Sequence, residues 1–342
     1  MANPLRFALF GAGFWARYQL AAWQEVSGAS CVAVCDRNLE KAERLAAEFG
    51  IPRASGNAEE LLATERLDFV DIVTDVDSHS PLVHLAARHK VPAICQKPLA
   101  PTLDEARRMA AECEEANVSL LVHENFRWQR PIRELKRVLE SGIIGRPFRA
   151  RIDMISGFPV FTNQPFLREL ERFILSDLGT HILDVARFLF GEADSLYCRT
   201  HRVHADIRGD DVATVVTGHY AGQTTVTCNL AYAENFLERE CFPQTLAFVE
   251  GSAGSVELAP DYWIRTTTVA GTQSQQFPPQ AYPWLDPAYA VVQSSMVDCQ
   301  RDLLGHLQGA RTAETTAGDN LLTLQLAFDA YRSAEEGIAI GY

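Results

Sequence analysis

Residues 5–36 hold a short apolar run, a glycine-rich turn, a stretch with helical spacing and a second apolar run that stops at an acid, and few folds accommodate that order. Leu5–Phe10 reads as a strand, Gly11-Ala12-Gly13-Phe14-Trp15-Ala16 as a turn entering a helix over Trp15–Glu25, and Cys31–Cys35 as a strand ending at Asp36. Gly11 permits a tight turn, and Gly13 lets a pyrophosphate approach the backbone where Phe14 and Trp15 open the helix. Ala16 stands at the third glycine position, which needs only a small side chain for helix–strand packing. Asp36 follows about 20 residues later, where a carboxylate can accept hydrogen bonds from the adenosine ribose hydroxyls. A glycine turn alone is weak evidence, and an acid after a strand can simply start a turn; the shared context points to a dinucleotide. Asp36 favours NAD, while Arg37 leaves room for some NADP use, because a guanidinium there can pair with a 2′-phosphate.

The pattern continues. Helical spacing over Leu39–Phe49 (ended by Gly50), Glu59–Thr64, Pro81–His89 and Leu103–Ala116 (opened by the cap-like Thr102) alternates with apolar runs at Phe69–Val73, Ala93–Cys95 and Ser119–Val122. This predicts a doubly wound parallel sheet, a Rossmann domain, over residues 1–124. Beyond residue 125 a helix is expected over Ile132–Glu140, then strands over Phe148–Ile155, Ser195–Val203, Asp211–Tyr220, Gln223–Tyr232, Gln244–Glu250, Gly254–Ala259 and Tyr262–Val269. Helices are expected at Ile174–Leu189, Tyr289–Leu307 and Asp319–Gly337. Residues 125–342 therefore read as an α+β domain with a large, open, mostly antiparallel sheet.

The bulk composition narrows the partners. With 31 basic and 44 acidic residues the net charge is −13, and no local basic patch offsets it, so nucleic acid and anionic lipid are not expected partners. Neither a signal peptide nor an apolar membrane span is evident, so the expected location is the cytoplasm. The eight cysteines form no CxxC pair and read as buried free thiols. An uncovered sheet face would expose apolar surface, so a homodimer or homotetramer through the C-terminal sheet is expected.

Candidate chemistry lies in two places. Lys97 follows a short buried strand and precedes Pro98, which fixes its ammonium at the C-terminal edge of a parallel sheet, where ligands bind. There it can donate to a substrate hydroxyl oxygen; the alternative is a snorkelling surface lysine. Asp177 and His181, four apart on an expected helix, share a face, so His181 can accept an alcohol proton while Asp177 sets its protonation or positions substrate. The pair could instead be surface residues or half of a metal site, but no third ligand is evident and no metal is expected. Gly157–Phe173 interleaves Phe158, Phe161, Phe166 and Phe173 with Asn163, Gln164, Arg168 and Glu169. Aromatics beside polar groups suit a sugar, so a partial lid with Phe161 and Arg168 on substrate is expected, against the alternative of interface packing.

The chain resembles the Gfo/Idh/MocA oxidoreductases over nearly its whole length. The resemblance rests on the glycine turn, Thr74 with His79, Gln96-Lys97-Pro98, Asn125-Phe126-Arg127, Ser141-Gly142-Ile143-Ile144-Gly145 and Asp177-Leu178-Gly179-Thr180-His181. It implies Lys97 as the residue orienting substrate, His181 as base and Asp177 as its partner. It also implies cofactor contacts from Thr74, His79, Gln96, Lys97 and Asn125, and substrate contacts from Glu124 and Arg127, the latter alternatively an inter-domain salt-bridge residue. Two departures stand out. Gln96 occupies a position where the family usually has Glu, and Asp75 replaces a proline, leaving that turn less rigid. Residues 10–23 and 123–129 are similar to the bacterial branch that oxidises the branched pentose D-apiose at C1 to its lactone. The implied activity is NAD-dependent oxidation of an aldose. Its alternatives are an inositol or polyol dehydrogenase, a lyase or glycosidase using NAD transiently, and a non-catalytic dinucleotide sensor.

Overall fold

The computed structural model describes residues 3–155, 160–162, 164–232 and 244–342; Gly157, Phe158, Asn163 and Cys241 lie outside the described residues. Two compact units are present, one of Met1–Glu124, Pro283–Leu285 and Met296–Leu324, the other of Asn125–Tyr282, Asp286–Ser295 and Gln325–Tyr342. Part of the region read from sequence as C-terminal thus belongs to the first unit.

In the first unit, strands β1 (Leu5–Phe10), β2 (Ala29–Cys35), β3 (Arg53–Ser55), β4 (Phe69–Ile72), β5 (Ala93–Gln96) and β6 (Leu120–His123) alternate with helices α1 (Phe14–Gln24), α2 (Leu39–Phe49), α3 (Ala58–Thr64), α4 (His79–Arg88) and α5 (Leu103–Glu115). The strands pair in parallel in the order β3-β2-β1-β4-β5-β6. β4 and β6 are buried along their whole length, as expected for strands covered on both faces. Phe7 and Phe69 stack at 4.8 Å across β1 and β4, with Trp23 of α1 against both. Helix ends follow local chemistry. Asn38 and Thr102 cap α2 and α5 by accepting the amides of Lys41 and Glu105, and Gly50 stops α2 in the left-handed region at φ 65°. Strand order reverses between β1 and β4, and ligands bind beyond the carboxyl ends of the strands at such a switch point.

The second unit contains α6 (Arg130–Glu140), β7 (Pro147–Ile155), α7 (Thr180–Phe190), β8 (Ala193–His201), β9 (Val212–His219), β10 (Thr224–Ala231), β11 (Leu246–Gly251), β12 (Gly254–Ala259), β13 (Trp263–Thr268), β14 (Gly271–Gln276) and β15 (Ile340–Gly341). Helices α8 (Ala290–Leu307) and α9 (Ala317–Glu336) contribute residues to both units. The nine strands lie in the order β14-β13-β12-β11-β7-β10-β9-β8-β15, antiparallel throughout except for β7 with β10. Along β9 burial alternates residue by residue, the mark of one packed and one open face.

Two expectations need correction. The helix read over Ile174–Leu189 is present but opens with a π-turn at Leu175–Gly179, so Asp177 lies in the π-turn and His181 in α7 rather than both in a regular α-helix. Strand β14, Gly-Thr-Gln-Ser-Gln-Gln, is exposed at every position; without an apolar face it offers no alternation to read.

Candidate active site

The turn after β1 is shaped by two different glycine requirements. Gly11 has φ 106°, and a Cβ there would stand 2.1 Å from the Val73 carbonyl oxygen, so only glycine lets β1 and β4 meet this way. Gly13 is exposed and a Cβ on it would meet no atom within 4 Å; the space is free of protein. It is also the N-cap of α1, with no side chain capping it and no acid in the first turn. A positive helix end with no acid in the helix's own first turn fits a pyrophosphate. Phe14, Trp15 and Tyr18 cluster edge to face on the first turn, 5.1 and 5.4 Å from Phe14.

Asp36 is fixed by backbone amides, Oδ2 accepting from Ala12 at 2.8 Å and Oδ1 from Asn38 at 2.8 Å. A carboxylate has about four lone-pair sites, so acceptors remain for ribose hydroxyls. Arg37 is 88% exposed and lies 3.4 Å from Asp75. Asp75 also accepts from the amide and hydroxyl of Ser78, which restores by hydrogen bonding some order that a proline would give. Thr74 abuts Gly11 and donates its hydroxyl to the Asp75 carbonyl. His79 is buried; Nδ1 lies 3.0 Å from Pro98 O and Nε2 3.3 Å from Thr74 O. Desolvation lowers its pKa, and a neutral ring carries one N–H, so it donates to one of these two carbonyls, not to both.

Lys97 is half-buried at the end of β5, its amide 3.3 Å from Gln96 Oε1. Gln96 Nε2 donates to Gln19 Oε1 at 2.6 Å and lies 3.4 Å from His123 Nδ1. Behind it, Gln19 Nε2 donates to both oxygens of Asp71 at 2.8 and 2.9 Å, and Trp23 Nε1 to Oδ2 at 2.7 Å. Asp71 is fully buried, and burial pushes its carboxyl up to about 6 despite those donors. Sequence reading missed Gln19 and Asp71; the one available signal was an acid inside the apolar run Phe69–Ile72.

In the second unit, Asp177 sits in the π-turn with Tyr232 Oη 3.4 Å from its Oδ2. Tyr232 stacks on Phe173 at 5.3 Å, Phe161 lies 5.6 Å from Phe173, and the Arg168 guanidinium lies over Phe161 at 4.3 Å while paired with Asp206. Phe161, Phe173 and Tyr232 thus form one aromatic group running to Asp177. Phe173 is core, whereas Phe166 is 58% exposed. His181 is buried and stacks on Phe126 at 3.7 Å between ring centroids, which fixes its plane.

Three other expected site residues have clear structural partners. Asn125 donates to Val292 O and Ser295 Oγ. Arg127 grips the fully buried Asp184 with two nitrogens, an ion pair within this unit. Glu124 is fully buried at the end of β6, its carbonyl accepting from Cys299 Sγ.

A parallel sheet with a glycine turn after its first strand and an acid at the end of its second is the pattern of an NAD-binding oxidoreductase domain. Residues 5–124 match the family described as oxidoreductase family, NAD-binding Rossmann fold, and residues 132–257 match the GFO/IDH/MocA C-terminal domain. The chain belongs to the Gfo/Idh/MocA oxidoreductases and is an NAD-binding dehydrogenase. It is 44% identical to a D-apiose dehydrogenase of Rhizobium rhizogenes over 98% of this chain and 96% of that protein. A D-apiose dehydrogenase of Paraburkholderia graminis is 45% identical over 96% of this chain and 88% of its own. The crystal structure of an oxidoreductase from Agrobacterium radiobacter in complex with NAD+, L-tartaric acid and magnesium superposes with a TM-score of 0.96 at 43% identity, covering 99% of this chain and 98% of that one.

Proposed function

We propose that this protein oxidises an aldose, D-apiose foremost, at C1 to the lactone with NAD. The observation that carries this reading is the near full-length similarity to two D-apiose dehydrogenases, in a chain that has a lysine, an aspartate and a histidine suited to alcohol oxidation.

Oxidising a hemiacetal removes a proton from the C1 hydroxyl and a hydride from C1, leaving the lactone carbonyl. NAD, when bound, supplies the hydride acceptor; Gly11, Gly13 and the first turn of α1 would hold its pyrophosphate, Asp36 its adenosine ribose, and Thr74 and Gln96 would lie towards its nicotinamide end. His181 takes the hydroxyl proton, its ring plane fixed by Phe126. Lys97 donates to a sugar hydroxyl oxygen and lowers its proton affinity, and Asp177 orients the sugar or the imidazole. Phe161 and the aromatic group beside it offer an apolar face to a sugar ring. Asp36 and Asp75 set two carboxylates near a 2′-phosphate, so NAD should be preferred over NADP, with Arg37 giving a minor NADP activity.

The test is NADH formation with D-apiose, other pentoses, hexoses and inositols, each with NAD and NADP. D-Apiose giving the highest kcat/KM and a lactone product is expected. Turnover of myo-inositol without any aldose would replace the sugar reading with the polyol one. Full turnover by His181→Ala and Lys97→Ala would remove the proposed proton transfer.

Self-association through the open sheet face goes with this reading. Phe248, Arg151, Thr227, Val216 and Tyr197 are cross-strand neighbours in one row, with Phe248 and Tyr197 exposed. Light scattering should give a dimer or tetramer that Phe248→Asp weakens, and an undisturbed monomer would end the idea.

A further inference from the structure

The amide network behind Lys97 has a direction that the chemistry of its members dictates. An ionised carboxylate only accepts hydrogen bonds, and an indole only donates. Asp71, met by Trp23 Nε1 and Gln19 Nε2, therefore forces Gln19 to turn its NH2 inward and its carbonyl towards Gln96. Gln96 must answer with its own NH2, at 2.6 Å, and its Oε1 is left facing the Lys97 amide. Every donor from Lys97 to Gln96 to Gln19 points towards Asp71, and aligned hydrogen bonds polarise one another.

We infer that Asp71 and Gln19 are positioning residues for Lys97, and that the ionised Asp71 makes glutamine the required residue at position 96. The inference rests on the proposed role of Lys97. A glutamate at 96 would set a carboxylate oxygen against the Gln19 carbonyl; turning Gln19 over would relieve that contact only by aiming its carbonyl at Asp71. Neither arrangement satisfies both ends. Combining Asp71→Asn with Gln96→Glu reverses the two bonds of Gln19: the asparagine amide accepts from Trp23 through its oxygen and donates to Gln19 through its nitrogen, and Gln19 donates to the introduced carboxylate. All groups are again satisfied.

The experiment is the cycle of Gln96→Glu, Asp71→Asn and the double variant, with kcat, KM and thermal midpoint measured for each alongside Lys97→Ala. Gln96→Glu is expected to lower kcat on the order of tenfold to a hundredfold, as misplacement of a reacting group does, and the double variant to recover most of it. Thermal midpoints that fall and recover while kcat of the folded enzyme stays at the wild-type value would make the network merely structural and overturn the inference. Additive losses in the double variant would overturn it too. Should Asp71→Asn be isolated unfolded, Gln96→Glu decides alone, a wild-type kcat refuting the requirement for glutamine and a tenfold loss upholding it. Full activity in Lys97→Ala would instead strike at the proposed function, so the two failures are distinct.

Discussion

Asp71 in the first unit and Asp184 in the second are both completely buried, and the two are treated in opposite ways. Asp184 in the second unit meets the Arg127 guanidinium, with Arg187 3.9 Å away and itself paired to Glu192. Asp71 in the first meets two neutral donors among the described residues, an indole and an amide. A guanidinium cancels the charge and locks two segments together, but it transmits nothing further. Neutral donors leave the charge standing, and the amides answering it carry its polarity towards Lys97. Burial is the same; what differs is whether the partner fixes a position or relays an orientation.

The largest effect should come from breaking the ion pair. Arg127→Ala leaves Asp184 buried against a cavity, and removing one partner of a buried pair typically costs about 3–5 kcal/mol. Urea unfolding should show that loss, a large part of the stability of an ordinary domain. A loss below about 1 kcal/mol with a raised sugar KM would instead make Arg127 a substrate contact and erase the contrast.

Asp71 should reveal itself through pH. Its folded carboxyl is raised from the ordinary 3.8 to about 6, so the folded state holds the proton more tightly than the unfolded chain does. The stabilisation from that proton is complete below about pH 4 and lost as pH rises through about 6, and at about 1.4 kcal/mol per tenfold change in affinity it amounts to about 3 kcal/mol. The stability of the wild type relative to Asp71→Asn should therefore fall by about that much between acid and neutral pH. A difference that stays flat would mean that Asp71 is no more costly to ionise folded than unfolded.

Legibility in the sequence tracks how local the physics is. Gly11, Gly13 and Asp36 declared themselves because turn, helix start and strand end are set within a few residues, and Asn38 and Thr102 act as caps through amides three positions away. The parallel first sheet and the antiparallel second followed from apolar spacing. Gln19 with Asp71, and Arg127 with Asp184, pair across 52 and 57 residues, and no spacing rule connects them. The π-turn was hidden for a different reason: one extra residue in a turn leaves the apolar pattern of a helix nearly intact.

The smallest effect tests whether a third acid joins either class. Asp177 has Tyr232 Oη at 3.4 Å, beyond the usual range for an O–H···O bond. Burial and the neighbouring carboxylate push the phenol pKa well up, so Tyr232 remains a donor at any working pH. Tyr232→Phe keeps the ring stacked on Phe173 and removes only this donor. Stability should change by less than about 1 kcal/mol, and kcat/KM by roughly two- to fivefold. A loss in kcat/KM far beyond tenfold at unchanged stability would show that the hydroxyl acts on bound sugar directly, and Asp177 would then belong with Asp71, an acid whose neutral partner has work of its own, rather than with the locked Asp184.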